Sequence, residues 1–258
     1  MNVIGVTGQA GAGKDSAADR LVASHGYIKI SLADPLKRYA KEVYAFTDDQ
    51  LWGPSSSRNA PDKRYLRTRH ERHDWQEVEK PAKATKGRGG SASITTEWVC
   101  TQCSFSADEA GVECLVYLTP RFCLQLLGTE FGRTCYENTW IDLALRNTRE
   151  VLEGDKCYTP QGGLYVDPSA PRPTGVAIAD VRFWNELEGI QNAGGYLWRI
   201  KPQVPVETGE AWRKHASETQ QGEIPDDRFD EVIINRKVAF ETLYADVDAA
   251  LARCLKKP

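Results

Sequence analysis

No stretch of this 258-residue chain approaches 18 consecutive apolar residues, which excludes a membrane-spanning helix from its reading. Met1 runs straight into a strand-like segment, so neither a signal peptide nor a lipid anchor is expected, and a cytoplasmic protein is. An excess of basic charge is missing too. Against 33 Lys and Arg stand 36 Asp and Glu, a net charge of −3, which argues against a protein whose main business is coating nucleic acid. The seven cysteines are an odd number, scattered through a chain long enough to fold without disulfides, so reduced thiols are expected. No internal repeat is visible. What remains is 41% hydrophobic and 27% charged residues, the balance of a soluble globular protein with a sizeable core. The length suits one α/β enzyme with insertions.

Strand and helix patterns alternate along most of the chain. Val3-Ile4-Gly5-Val6 reads as a short buried strand. It is followed by a glycine-rich turn and a helix with Ala17, Ala18, Leu21 and Val22 on one side, closed at His25-Gly26. Residues 27–31 read as a second strand. Asp34-Pro35 supplies a cap pair for a helix whose apolar positions are Leu36, Tyr39, Ala40, Val43 and Tyr44. Thr119-Pro120 opens another helix, with Phe122, Cys123, Leu126 and Leu127 inward, running to Gly128. Further helices are expected from Asn138 or Thr139 to Leu152 and over 185–193, and a last one carries Phe240, Leu243, Tyr244, Val247 and Leu251. Strands are expected at 175–179, 196–200 and 231–234, while 154–173 is turn-rich. This alternation predicts a parallel sheet of about five strands flanked by helices on both faces. Residues 47–118 break the rhythm and are too long for a bare loop, so they read as an insertion or lid within a single domain spanning 1–258.

Between the first strand and the first helix lies Gly8-Gln9-Ala10-Gly11-Ala12-Gly13-Lys14-Asp15-Ser16. The GxxxxGK spacing in strand–turn–helix context is that of a Walker A phosphate loop. Its glycines let backbone N–H groups converge on one anion at the positive end of a helix. Gly11, Ala12, Gly13, Lys14, Asp15 and Ser16 are therefore candidates for holding ATP, with Lys14 meeting the β- and γ-phosphates. The usual Ser or Thr after the lysine is Asp15, followed by Ser16, and either reaches Mg²⁺ or one of its waters. The fold expected is thus an α/β, three-layer, P-loop NTPase type with a large insertion.

Asp180 follows the apolar strand at the end where α/β sheets place ligands, and Arg182 lies two residues on. With Lys14 they form the candidate catalytic group, because phosphoryl transfer asks mainly for positioning and positive charge. Lys37, Arg121 and Arg133 are further cations for an acceptor phosphate, and Gln125 shares a helix face with Arg121.

Residues 58–88 hold ten Lys and Arg against five Asp and Glu, which fits a phosphate-closing lid or a plain solvated loop. Aromatic interleaving of the kind that stacks on single-stranded nucleic acid is absent from it. Cys100-Thr101-Gln102-Cys103 has zinc-knuckle spacing, but a second CxxC is lacking. Structural zinc at Cys100 and Cys103 stands beside unligated thiols.

These segments, in this order, resemble the bacteriophage deoxynucleoside monophosphate kinases, a branch of the P-loop nucleoside monophosphate kinases. The resemblance rests on residues 8–16 with their Gly-Lys-Asp variant, Leu32-Ala33-Asp34-Pro35-Leu36-Lys37, Arg121, and Gln125 through Glu130. It extends to Trp140, Asp180-Val181-Arg182 with Asn185-Glu186, residues 215–218, and Val232-Ile233-Ile234-Asn235. It implies ATP with Mg²⁺ as donor, a deoxynucleotide as acceptor, a homodimer, and a location in the host cytoplasm if phage-encoded. By resemblance Gly128, Thr129 and Trp140 face the acceptor, and His215 and Glu218 lie near the nucleotides. The match is poor over 55–118. Competing readings are another small-molecule P-loop kinase, of dephospho-coenzyme A or gluconate type, and a non-catalytic nucleotide-binding module.

Overall fold

Residues 2–9, 11–70, 75–81, 94–100, 106–107, 114–203, 223–236 and 239–256 are described by the structure, a computed structural model. Five parallel strands form its centre: β1 (Val3–Thr7), β2 (Tyr27–Ser31), β10 (Gly175–Ala179), β11 (Tyr196–Pro202) and β12 (Glu231–Asn235). Their order across the sheet is β12-β11-β1-β10-β2, so β10 separates the first two strands of the chain. β1 and β10 are buried at every position, as strands covered on both faces must be.

Alternate side chains serve two opposite cores. Val3, Val176, Ile178 and Leu197 point to one face, covered by α6 (Thr139–Leu152) and α7 (Trp184–Asn192) through Ile141, Leu145, Leu187 and Ile190. Ile4, Val6, Ala177, Trp198 and Ile200 point to the other. There α1 (Lys14–His25) and α8 (Phe240–Cys254) supply Ala17, Leu21, Leu243 and Val247. The result is a three-layer α/β fold of P-loop type.

A third cluster joins Ala40 of α2 (Asp34–Tyr44) and Leu51 of α3 (Asp48–Trp52) to Phe46, Leu118 and Cys123. The segment that lacked a sustained period holds α3, α4 (Ser55–Asn59) and short antiparallel strands. β3 (Asp62–His70) pairs with β7 (Cys114–Leu118), and β4 (Trp75–Pro81) pairs with β5 (Ile94–Cys100), which meets β6 (Ser106–Ala107).

Several local expectations are corrected. Val22 is 40% exposed, since α1 buries Ala17, Ala18 and Leu21, and Tyr39 and Val43 are 51% exposed, because α2 buries Asp34, Leu36, Lys37 and Ala40 instead. Asp34 is the first residue of α2 rather than its cap, a place taken by Ala33, since its carboxylate is drawn to Ser31, Trp52 and Tyr158. Thr119 does cap α5 (Pro120–Gln125), accepting from Phe122 N at 3.1 Å. Gly128 does not end that helix. A glycine stops a helix by turning left-handed, and Gly128 is not among the residues with positive φ. The chain continues as a π-helix over Leu126–Arg133, with Leu126 46% exposed. Within the turn-rich 154–173 lies a hairpin of β8 (Lys156–Thr159) and β9 (Gly163–Val166). β11 and β12 run beyond their expected ends, to Pro202 and Asn235. Among the described residues no helix is long and apolar enough to cross a membrane.

Candidate active site

The turn after β1 is shaped by glycine at two points. Gly11 and Gly13 have φ of 78° and 99°, left-handed values that side chains resist. A Cβ on Gly13 would also stand 2.5 Å from Asn235 Nδ2, which donates to Ala12 O at 2.9 Å and ties the loop to the end of β12. Lys14 then opens α1, and its Nζ reaches Asp15 Oδ2 at 2.9 Å and Asp180 Oδ1 at 2.8 Å. Asp180 leaves the end of β10, the strand paired to β1, in the left-handed conformation with φ 66°. Non-glycine residues held this way collect at functional sites, and Asp is among the side chains that tolerate it best.

The electrostatics of this pair are set by burial and charge together. Burial works to lower the pKa of Lys14, but Asp180 and Asp15 outweigh it and hold the ammonium above its ordinary value. Burial pushes the Asp180 carboxyl up, yet Lys14, Arg182 and Lys37 bring it well below the usual carboxylate range. Arg182 lies 3.8 Å from the same Asp180 Oδ1, and Ser31 Oγ donates to Oδ2 at 2.7 Å. Lys37 is pulled down by burial, partly offset by Asp180 and Asp34, and sits 5.6 Å from the centre of the Trp52 ring.

Asp34 gathers three donors from three parts of the chain. Ser31 N reaches Oδ2 at 3.1 Å, Tyr158 Oη reaches Oδ2 at 3.0 Å, and Trp52 Nε1 reaches Oδ1 at 3.2 Å. The carboxylate thereby joins the end of β2, the hairpin and α3.

These groups border a cavity of about 520 Å³, a size suited to a nucleotide-sized ligand. Of the residues expected from the sequence, Gly11, Lys14, Asp15, Lys37, Arg121, Gln125, Gly128, Thr129, Arg133, Trp140, Asp180 and Arg182 line it. Ala12, Gly13 and Ser16 do not: Ala12 is buried, Gly13 packs toward Asn235 and Leu243, and Ser16 lies in the first turn of α1. Arg121 donates to Asn59 Oδ1 at 2.6 Å and to Ser55 Oγ at 3.3 Å, bridging α5 to α4. Trp140 Nε1 donates to Gly128 O at 2.8 Å, with its ring against Gly132. Thr129 and Arg133, four residues apart in the π-helix, both line the cavity.

Other lining residues had been given no role: Ser31, Trp52, Ser55, Arg58, Phe183 and Glu186. Arg58 is the first cation of the basic stretch, and Glu186 stands in the Asp180–Glu186 segment, so the sequence marked their neighbourhoods without marking them. Burial pushes the Glu186 carboxyl up to about 7, against the pull of the Arg182 and Phe183 N–H groups and the charges of Arg133 and Arg182.

Mg²⁺ takes one or two carboxylates and fills its remaining positions with substrate phosphates and water. Asp15 and Asp180, both on the cavity wall and both held by Lys14, fit that donor chemistry. No cluster of three or more metal-binding side chains occurs among the described residues. The zinc expectation falls on the Cys100 side chain and on Cys103, and the expectation for His215 and Glu218 on residues 204–222; both lie outside the described residues.

Compared with known proteins, the chain is 26% identical over 252 residues to a protein of Acanthamoeba polyphaga mimivirus that bears the name "Putative deoxynucleotide monophosphate kinase". The alignment takes in 96% of this chain and 94% of the viral protein. No known family's sequence profile matches the chain.

Proposed function

We propose that this chain is an ATP-dependent kinase that transfers the γ-phosphoryl group to a deoxynucleoside 5′-monophosphate. The observation that carries the reading is one cavity bordered by a phosphate loop on one side and by Lys37, Arg58, Arg121, Arg133 and Arg182 on the others. ATP and a monophosphate together bring about six negative charges, and seven Lys and Arg side chains, Lys14 and Lys29 included, border the cavity. The likeness to the viral protein, which extends over nearly the whole chain, supports the same reading.

In it, backbone N–H groups of the loop and Lys14 hold the β- and γ-phosphates of the donor. Asp180 keeps Lys14 charged and aimed, and Arg182 meets charge that shifts during transfer. Arg121, Arg133 and Lys37 hold the acceptor phosphate, with Gln125, Gly128, Thr129, Trp140 and Trp52 shaping the wall around the nucleoside. Mg²⁺, when bound through Asp15 and Asp180, supplies neutralisation of phosphate charge. Residues 47–118 form an insertion in a single catalytic unit and bring Trp52, Ser55 and Arg58 to the acceptor side. Homodimer formation is part of the same reading.

A coupled assay of ADP release against a panel of nucleoside monophosphates tests it. Release is expected with at least one 5′-deoxynucleotide, and more slowly with its ribose counterpart. Activity confined to sugars or dephospho-coenzyme A would refute the acceptor assignment and leave the phosphate loop standing.

A further inference from the structure

Glu186 is a carboxylate in the cavity wall to which neither phosphate binding nor transfer has given a part. It is 3% exposed, at the third position of α7. Its Oε2 accepts from Arg182 N at 2.7 Å and from Phe183 N at 3.1 Å. The same carboxylate's Oε1 faces Arg133 NH1 across 3.6 Å, a distance for charge attraction rather than a hydrogen bond. Arg133 NH1 is buried and has no hydrogen-bond partner. The rest of that guanidinium is held: NH2 donates to Asn185 Oδ1 at 3.0 Å, and the group lies 3.8 Å from the centre of the Phe183 ring.

A glutamate at this point of a helix commonly caps the backbone, and Oε2 does so here. A cap alone works equally well in water, whereas burying an ionisable carboxyl carries a desolvation cost that a cap does not offset. The second oxygen supplies what capping leaves out. It places a negative charge beside one cavity arginine, while the first oxygen fixes the turn that carries the other.

We propose that Glu186 is a positioning residue that sets Arg182 and Arg133 as a pair, one through its backbone and one through its charge, before substrate enters. The inference rests on the phosphoryl-transfer reading. Arg133 NH1, buried and facing Oε1, is then the inner edge by which Glu186 fixes the guanidinium, and the 14% of the side chain that is exposed is what meets the cavity.

Glu186→Gln separates the two oxygens' tasks, because an amide oxygen still accepts from Arg182 N and Phe183 N but the buried charge facing Arg133 NH1 is gone, leaving that guanidinium, among the described carboxylates, only the exposed Glu137 Oε1, 3.5 Å from NH2. Assayed at about pH 8, where a carboxyl with a pKa of about 7 is ionised at a cost in stability that the amide does not carry, the variant should melt no lower than the wild type and keep its ATP KM. Its kcat over acceptor KM should fall by about 10²-fold, the scale of loss when a transfer group is misplaced. Glu186→Asp, which keeps the charge, should recover part of that loss. The double variant with Arg133→Ala should be no worse than Arg133→Ala alone, since both act through one guanidinium. Wild-type kinetics in Glu186→Gln, or additive losses in the double variant, would overturn the proposal.

Calorimetry with inorganic phosphate, as a probe of the Arg133 side of the cavity on protein whose loop is already filled with tripolyphosphate, gives a readout independent of turnover. Weaker binding by Glu186→Gln than by the wild type supports the positioning role even if no monophosphate is phosphorylated, an outcome that would overturn only the kinase reading. Equal binding by the two proteins, or none by the wild type, would overturn the positioning role itself.

Discussion

At the scale of single residues, Asp180 is the anion around which the cations of the site are arranged. It holds Lys14 at 2.8 Å and Arg182 at 3.8 Å, and Lys37 feels its charge. In a chain without nucleotide, this carboxylate is what keeps those cations from repelling one another. Asp180→Asn is the informative change, because asparagine also tolerates the left-handed backbone that φ 66° requires. Loss of the charge should destabilise the empty chain by about 3 kcal/mol, the scale for breaking one side of a buried pair. Tripolyphosphate, which brings negative charge back to the same place, should raise the variant's melting temperature more than the wild type's. Equal shifts would mean that phosphate and Asp180 do not meet the same cations. Turnover should fall regardless, by about 10²–10³-fold, since Lys14 is no longer aimed.

At the scale of elements, the π-helix over Leu126–Arg133 carries Gly128, Thr129 and Arg133 to the wall of the cavity proposed to take the acceptor. Its wider turn is accommodated by Trp140, whose Nε1 takes the Gly128 carbonyl while its ring fills the space over Gly132. A Cβ on Gly132 would stand 2.1 Å from the Trp140 ring, so Gly132→Ala must push the indole away. Overpacking of this kind costs about 1–3 kcal/mol, and the displaced helix should raise the acceptor KM while ATP KM holds. Gly128→Ala meets only Leu36 Cδ1 at 3.0 Å, a methyl able to turn aside, and should be the milder variant in both thermal melts and kinetics. Gly132→Ala that melts and turns over like the wild type would show that this contact does not set the helix.

The same helix shows where reading from sequence stops. The phosphate loop, the strands around it and the caps at Gly26 and Thr119 were legible because each is fixed by neighbours in the chain. A π-turn differs from an α-turn by less than one residue per turn, which no pattern of apolar positions distinguishes over eight residues. The hairpin at 156–166 has strands of four residues, too short for alternation to stand out against turn residues. Tyr39 and Val43 fitted the apolar period of α2, yet the helix is rotated so that Asp34 and Lys37 are buried, because tertiary partners at Trp52 and Tyr158 outweigh the pattern. Ser31, Trp52 and Arg58 reach the site by convergence of distant segments, and a single residue in a sequence carries no mark of that.

At the scale of the whole molecule, the sheet order β12-β11-β1-β10-β2 puts the phosphate loop and Asp180 at the ends of adjacent strands, with Asn235 closing on the loop from β12. That order has a consequence in time. β1 and β2 are made first, yet β2 pairs in the central sheet only with β10, and β1 only with β10 and β11. Their neighbours leave the ribosome roughly 170 residues later, which at ordinary rates of translation is about 10–30 seconds. During that interval two strands wait with open edges, and everything between them and β10 is synthesised before those edges can be paired. Chains ending just before Gly175 should therefore collect in the insoluble fraction while full-length chains stay in solution, and a soluble, compact fragment would contradict this. The nascent protein is at its most vulnerable just before β10 arrives, with its first-made strands depending on one laid down about two-thirds of the way along the chain.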